Sequence, residues 1–534
     1  MLAVAVAASG VLLLSFDARL SFIGDEWELL IGRSGGGVGV LLEPFNENPI
    51  IGLAVVYKLL LAVFGMSSAL PFYCVSIVLF LISAVLLDLY LVPRVGAWPA
   101  ALSAVLVLFL GAAYEDIFWA FQMGFFGSVA AGLGALIALD RRGLVRNRLA
   151  CCLLIVSLAF SSVGIAFVAA ALVDLALDRG NRTSRAYVAV VPVIVYGVWW
   201  LVWGKVAGNQ IGLDTVLRVP GYVFDAATAG MVSLLGREAV TADGRPPMIG
   251  EVLLIVLIIV AGVHLIRRRH VPRSIAVAFV LALSFWVLIG LDRTGGGRFA
   301  LNSRYQYPSA VFILTLTAEL LRGLRIPRMV TVAFAVIAAG AVVGGISTLQ
   351  RHFPQWESRS DRTRLTLTAL ELGRPSVRAS YLISFPPSIS FRAGTYFKGS
   401  TGVGSPAFDE GQLLARSADD RRHVDEILAA ALDIKLTPAV PIGKPQRCRT
   451  LSDGPASGSA EIPAGILTLQ NPGPRPTRVR LGRFATGLSV PLDRIPAGAT
   501  RILAVPSDSS NRRWRVATLD QNLRLCIADR MHAA

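Results

Sequence analysis

The sequence predicts an α-helical polytopic membrane protein that ends in a soluble α+β domain, and three observations carry that expectation. Apolar residues make up 54% of the chain and mean hydropathy is +0.61, a balance that excludes a soluble enzyme. Apolar runs crowd residues 1–347, whereas residues 348–534 are rich in Pro, Gly, Ser and Arg and hold no apolar stretch near the roughly 20 residues a spanning helix needs. Short basic connectors recur between the runs: Asp140-Arg141-Arg142 to Arg148, Asp178-Arg179 to Arg185, Arg267-Arg268-Arg269-His270 to Arg273, and Arg322 to Arg328.

The positive-inside rule puts all four connectors in the cytoplasm and fixes the parity of what lies between them. Segments 187–203 and 248–266 then flank an outer loop at 204–247, and 273–291 and 304–321 flank another at 292–303. Segment 329–347 leads outward to the tail. The apolar stretch 149–177 is too long for one helix and is broken by Ser161-Ser162-Val163-Gly164. It is expected to enter and return as two short helices; one tilted helix would invert everything upstream.

Tracing back, 122–139 runs inward, 97–113 outward and 70–91 inward, with Arg94 at a cytoplasmic turn. Segment 2–16 crosses outward, so the run Pro49–Phe64 does not cross. About 15 residues at 1.5 Å rise cover only ~22 Å of a ~30 Å core, and Lys58 interrupts it, so 49–64 reads as a juxtamembrane helix in the first outer loop, 17–69. The count is about eleven crossings in a cell membrane, N-terminus cytoplasmic and residues 348–534 outside. The first segment is short and lacks basic residues, which points to a start upstream; a cleaved signal peptide is the alternative.

The tail holds 26 basic and 16 acidic residues. Its excess positive charge serves solubility or attraction to membrane lipids or an acidic surface polymer. Nucleic acid is disfavoured, because no basic run is interleaved with aromatics. Residues 355–435 include helices, notably 420–432. From about 440 to 534, alternating runs at Pro476–Phe484, Arg501–Pro506, Arg513–Leu519 and Leu523–Ala528 read as the strands of a small β-sandwich. Cys448 and Cys526 lie in this part and suit a disulfide in an oxidising compartment. The five histidines show no metal-ligand spacing, so no metal site is expected. The cytoplasmic connectors are too small for a nucleotide-binding domain and there is no phosphate-binding Gly-Lys-Ser/Thr loop, so no nucleotide cofactor is expected and an activated substrate must arrive joined to a lipid.

Three groups of polar residues collect at outer helix ends. The first loop has Asp25, Glu26 and Glu28, then Glu43-Pro44-Phe45-Asn46-Glu47-Asn48-Pro49. The second has Glu115-Asp116, followed by Trp119 and Gln122. The third has Asp292, Arg293, Arg298, Asn302, Arg304, Tyr305 and Tyr307. Each group alone is an ordinary solvated loop. Together they offer carboxylates from two loops and guanidinium groups from a third, a base and a phosphate clamp.

At this point the chain resembles the GT-C glycosyltransferases, polytopic enzymes that transfer sugar from a polyprenyl-phosphate donor on the outer face. Asp25-Glu26 resembles the acidic motif of the first outer loop in the protein mannosyltransferase and aminoarabinose transferase branch, and Glu115-Asp116 fits the acidic position after the third helix. Asn48-Pro49 departs from the branch, having one proline and no His or Lys. Phe45-Asn46-Glu47-Asn48, Trp119-Ala120-Phe121-Gln122 to Leu139-Asp140-Arg141, Ser161-Ser162-Val163-Gly164 and Ser303-Arg304-Tyr305-Gln306-Tyr307-Pro308 are similar to uncharacterised actinobacterial membrane proteins, over most of 17–325.

The resemblance implies an inverting transfer from a polyprenyl-phosphate-linked sugar to an extracytoplasmic glycan, lipid or protein acceptor. Asp25 would be the base, with Glu26 orienting or substituting for it. Glu47, Glu115, Asp116, Trp119, Gln122 and Tyr305 would contact substrate, and Arg304, with Arg298, Arg293 and Lys58, would meet the lipid phosphate. The tail is expected either to bind carbohydrate or to serve only in packing. A lipid or glycan transporter or flippase, and a non-catalytic glycan-binding scaffold, are the competing readings.

Overall fold

The computed structural model describes residues 1–33, 35, 37–46, 48–141, 143–178, 180, 182–204, 212–239, 245–293, 300–324, 327–385, 389–438, 446–451, 459–518 and 522–528. It divides into two compact units: Met1–Leu20, Arg33–Val63 and Ala69–Glu357 form the first, and Ser21–Gly32, Phe64–Ser68 and Ser358–Ala534 the second. The division differs from the boundary at 347/348 expected from hydropathy. It falls ten residues later, and two pieces of the expected first outer loop belong to the second unit. Composition reports where apolar runs stop; it is blind to short segments that pack elsewhere.

The first unit is helical. Its elements are α1 (Leu2–Asp17), α2 (Val38–Leu42), α3 (Ile51–Phe64), α4 (Leu70–Val95), α5 (Ala97–Leu108), α6 (Tyr114–Ile117), α7 (Met123–Asp140), α8 (Leu144–Phe160), α9 (Val163–Ala176), α10 (Arg182–Arg185), α11 (Tyr187–Val202), α12 (Leu213–Ser233), α13 (Met248–Arg268), α14 (Arg273–Arg293), α15 (Gln306–Leu321) and most of α16 (Arg328–Gly373). Among the described residues six helices are long and apolar enough to cross a membrane: Leu70–Val95, Ala97–Ile117, Ala120–Asp140, Met248–Arg267, Arg273–Leu291 and Arg328–Gly373. The chain is therefore a membrane protein by the length and composition of its helices.

The break in 149–177 falls where Ser161 and Ser162 interrupt the run, giving the helix pair α8 and α9. The run 49–64 is the 14-residue α3. The expected outer loop 204–247 is different: it carries α12, 21 residues long, packed on α13, α14 and α15. Asp214, Arg218, Pro220 and Asp225 hide this helix from a hydropathy reading, while Val219, Tyr222, Ala226, Ala229 and Val232 supply its buried face.

Ion pairs, most of them partly buried, show which helix ends share a side. Arg94, at the end of α4, pairs with Asp140 at the end of α7 (2.6 Å) and with Glu319 at the end of α15. Tyr90 Oη donates to Glu319 at 2.9 Å. Arg273, opening α14, donates to Asp174 at the end of α9 (2.6 Å) and lies 3.1 Å from Asp178. The connectors read as cytoplasmic are thus joined in two sets, each by charges that burial would penalise if unpaired.

Close backbone approach explains three glycines. A Cβ on Gly345 or Gly344 of α16 would strike the carbonyl of Phe109 or Gly236, and one on Gly111 would strike the carbonyl of Gly345. Small residues there let α16 seat directly on the chain leaving α5 and α12.

The second unit contains the end of α16, α17 (Ala393–Ser400), α18 (Glu410–Leu414), α19 (Ala418–Ala431), and strands β1 (Leu382–Phe385), β2 (Ile389–Arg392), β3 (Leu436–Pro438), β4 (Gln446–Leu451), β5 (Ser459–Ile462), β6 (Gly465–Gln470), β7 (Val479–Gly482), β8 (Val490–Pro491), β9 (Thr500–Val505), β10 (Trp514–Thr518) and β11 (Leu523–Ala528). β1 and β2 form an antiparallel pair. The rest make two antiparallel sheets, β5-β10-β7-β8 and β3-β9-β6-β11-β4, whose inward residues share one core with α19, including Leu428, Leu467, Leu481, Leu503, Trp514 and Leu525. Cys448 and Cys526 sit opposite each other on β4 and β11 and form a disulfide.

One buried and one half-buried polar group fix α19. The Asp425 carboxylate accepts from the backbone N–H groups of Arg483 (2.8 Å), Phe484 (2.9 Å) and Ala485 (3.1 Å) after β7. His423 lies 3.3 Å from Thr366 Oγ1, and burial, aided by Arg362, holds its imidazole below its ordinary value. The unfolded chain therefore binds a proton first as pH falls. The second unit's stability is expected to drop as pH falls below about 6.5, and His423→Gln should flatten that dependence in a melting series between pH 7.5 and 5.

Candidate functional site

In the first unit, α4, α7 and α15 have their opposite ends on the side away from the Arg94 network, and the second and third polar groups meet there. α6 is a single turn between two 3-10 turns, Gly111–Ala113 and Ala120–Gln122. Its register is set by Ser303, whose Oγ donates to Ala112 O (2.6 Å) and accepts from the Glu115 N–H (3.0 Å). Tyr73, near the start of α4, donates to Phe118 O at 3.1 Å.

This places Arg304 beside Glu115, Nε to Oε2 3.6 Å, with both side chains partly exposed. The distance is an ion pair without a hydrogen bond, so the guanidinium keeps donors for another oxyanion. Asp116 is fully buried, and neither of its carboxylate oxygens has a hydrogen-bond partner among the described residues; Glu115 and Arg304 are its charged neighbours. A buried polar group left unsatisfied calls for an explanation. A substrate hydroxyl reaching Asp116 is one that the chemistry of this cluster fits.

The remaining expected residues divide. Trp119 is 7% exposed, stacked on Phe121 at 5.5 Å and 6.2 Å from Trp356. Gln122 is buried, its N–H bonded to Trp119 O. Tyr305 is buried against Phe125, with the Arg304 guanidinium 5.7 Å from its ring. These side chains pack as the floor of the acidic segment. Lys58 donates to Arg33 O (3.0 Å) and Gly35 O (2.9 Å), tying down the glycine-rich loop. Glu47 and Arg298, and the side chain of Arg293, lie outside the described residues.

Asp25, Glu26 and Glu28 of the first polar group belong to the second unit, and residues 43–46 and 48–49 to the first. Gly24 has φ +55°, and the turn it makes is closed by Glu26, whose buried carboxylate accepts from the Ile23 N–H at 2.7 Å. Trp27 is fully buried among Phe22, Phe385, Phe391 and Tyr396, so it packs a core and offers no face to a sugar. Asp25 is half-buried, just before a π-helix at Glu28–Gly32. Such helices are rare and recur at functional sites.

Sequence reasoning missed Ser303, His352 and Glu238. His352 stacks on Tyr114 with centroids 3.8 Å apart and planes 7° apart, and its Nε2 is 3.3 Å from Glu238 Oε1. No spacing signals this arrangement, since the three residues lie on separate elements. Among the described residues no set of three His, Cys, Asp or Glu side chains converges as a metal site.

No protein-family model and no curated protein matches the chain. A crystal structure of ArnT from Cupriavidus metallidurans bound to undecaprenyl phosphate is similar over 76% of this chain and 85% of that one, at 14% identity and a TM-score of 0.45. That similarity assigns no activity to this chain.

Proposed function

We propose that this protein is a membrane glycosyltransferase of the GT-C type, transferring sugar from a polyprenyl-phosphate-linked donor to an acceptor hydroxyl on the outer face. The observation that carries the reading is the cluster of Glu115, Arg304 and the buried Asp116, whose carboxylate has no hydrogen-bond partner among the described residues, at the helix ends opposite the basic connectors. It is supported by the resemblance of Asp25-Glu26 and Glu115-Asp116 to the acidic motifs of that superfamily. In the proposed reaction the acceptor oxygen attacks the anomeric carbon with inversion. Asp25 takes the acceptor proton, the bond from the anomeric carbon to the phosphate oxygen breaks, and polyprenyl phosphate leaves with the electron pair. Arg304 neutralises the phosphate, its planar donors matching two oxygens; Asp116 and Glu115 hold hydroxyls.

The test is turnover by the purified protein in liposomes containing a series of polyprenyl-phosphate sugars, read as released polyprenyl phosphate together with glycosylated acceptor. Arg304→Ala should reduce turnover by about 10²–10³ while the melting temperature holds. Movement of a fluorescent lipid-linked sugar between leaflets without transfer would replace the reading by a flippase, and donor binding without transfer by a scaffold.

A further inference from the structure

Three residues of α16 line up against the segment that carries the acidic pair. His352 lies flat on Tyr114, Phe353 is 5.5 Å from Phe118 in an edge contact, and Trp356 is 6.2 Å from Trp119. Trp356 follows His352 by four residues and Phe353 by three, spacings that make helix neighbours, so α16 meets the chain just before Glu115 and just after Asp116. Ser303 fixes the Glu115 backbone from a different direction.

His352 differs from the other two in having a carboxylate beside it. Glu238 approaches its Nε2 at 3.3 Å and also pairs with Arg351. Glu238 is presented by a turn at Gly236, φ +70°, whose backbone sits against Ala341 and Gly344 of the same helix. The imidazole thus has a carboxylate near its edge, close but without a hydrogen bond, and lends its face to Tyr114. Tyr114 immediately precedes Glu115. Loss of the ring would remove one of the contacts that seat Tyr114, in a one-turn helix also braced by Ser303 and flanked by the Phe353 and Trp356 contacts, and would shift Glu115 against Arg304.

We infer that His352 is a positioning residue for the Glu115–Asp116 pair, acting through its stack on Tyr114. Its catalytic consequence rests on the proposed transfer reaction; its structural consequence does not. The working element is the flat ring. His352→Phe keeps a ring over Tyr114 without the Glu238 contact, whereas His352→Gln keeps a polar contact without the ring.

Two measurements on the full chain in liposomes test this. The first is the rate at which a water-soluble maleimide labels the thiol introduced by Glu115→Cys, mapped by mass spectrometry. The rate should change severalfold when His352→Ala or His352→Gln is added, and return to the parent value with His352→Phe. The second is transfer: His352→Ala and His352→Gln should lower kcat about tenfold to a hundredfold with donor KM unchanged, and His352→Phe should recover most of it. If the parent shows no transfer, the glycosyltransferase reading fails and the labelling result still decides the positioning role. If His352→Ala does not fold, the contrast between Phe and Gln decides. Unchanged labelling in His352→Gln, or rescue by Gln and not by Phe, overturns the inference.

Discussion

Asp425→Ala is expected to destabilise the second unit by about 3–5 kcal/mol, enough to lower its melting temperature by many degrees or to leave it unfolded at 37 °C. The carboxylate is fully buried and accepts from three consecutive backbone N–H groups, those of Arg483, Phe484 and Ala485. Alanine removes the acceptor and leaves these donors without it in a space too apolar to supply water, so the desolvation of each is uncompensated. The same turn carries Arg483, whose guanidinium pairs with Asp508 at 2.5 and 2.9 Å and donates to Arg512 O at 2.7 Å. Loosening the turn therefore disturbs a second buried pair. Asp425→Asn retains one acceptor oxygen and should cost less. Melting followed by near-UV dichroism ranks them; an alanine variant as stable as the parent would show that the turn is held by β7 and β8 alone.

Much of the architecture was legible because one physical rule governs it. Apolar runs of membrane length mark the six helices long and apolar enough to cross, while about eleven crossings were expected, and Ser161-Ser162 breaks the run between α8 and α9 because a serine side chain competes for backbone hydrogen bonds. The sandwich strands were legible from alternation, and Cys448 and Cys526 face each other because β4 and β11 are neighbours. α12 was not legible, since its buried face is interleaved with Asp214, Arg218 and Asp225 and only packing on α14 and α15 reveals it.

At the site, the sequence pointed to the residue types but not to their duties. Glu115 and Arg304 do meet, through Ser303, a residue too ordinary to single out. Trp119 and Tyr305 are floor, Lys58 is a loop tether, and Trp27 is core. Long-range packing decides such duties: Trp27 is committed by a hairpin more than 350 residues later in the chain.

Asp25→Asn is expected to reduce sugar transfer by about 10²–10⁴ on the proposed reaction, with donor binding and melting temperature near those of the parent. An amide has the carboxylate's shape and cannot take the acceptor proton at neutral pH. The neighbouring Glu26 sharpens the experiment, because its carboxylate is already engaged by the Ile23 N–H. Glu26→Ala leaves that buried donor unpaired, a cost of about 1–3 kcal/mol, so it should appear first in the melting curve and only through misplacement of Asp25 in kcat. The two adjacent acids thus differ in burial: Glu26 is fully buried and braces the Gly24 turn, and Asp25 is half-buried. If Asp25→Asn transfers sugar at the parent rate while Glu26→Gln abolishes transfer in a folded protein, the base is not Asp25. Glu26 would then have to leave Ile23 during turnover, a rearrangement that hydrogen exchange at the Ile23 amide would detect.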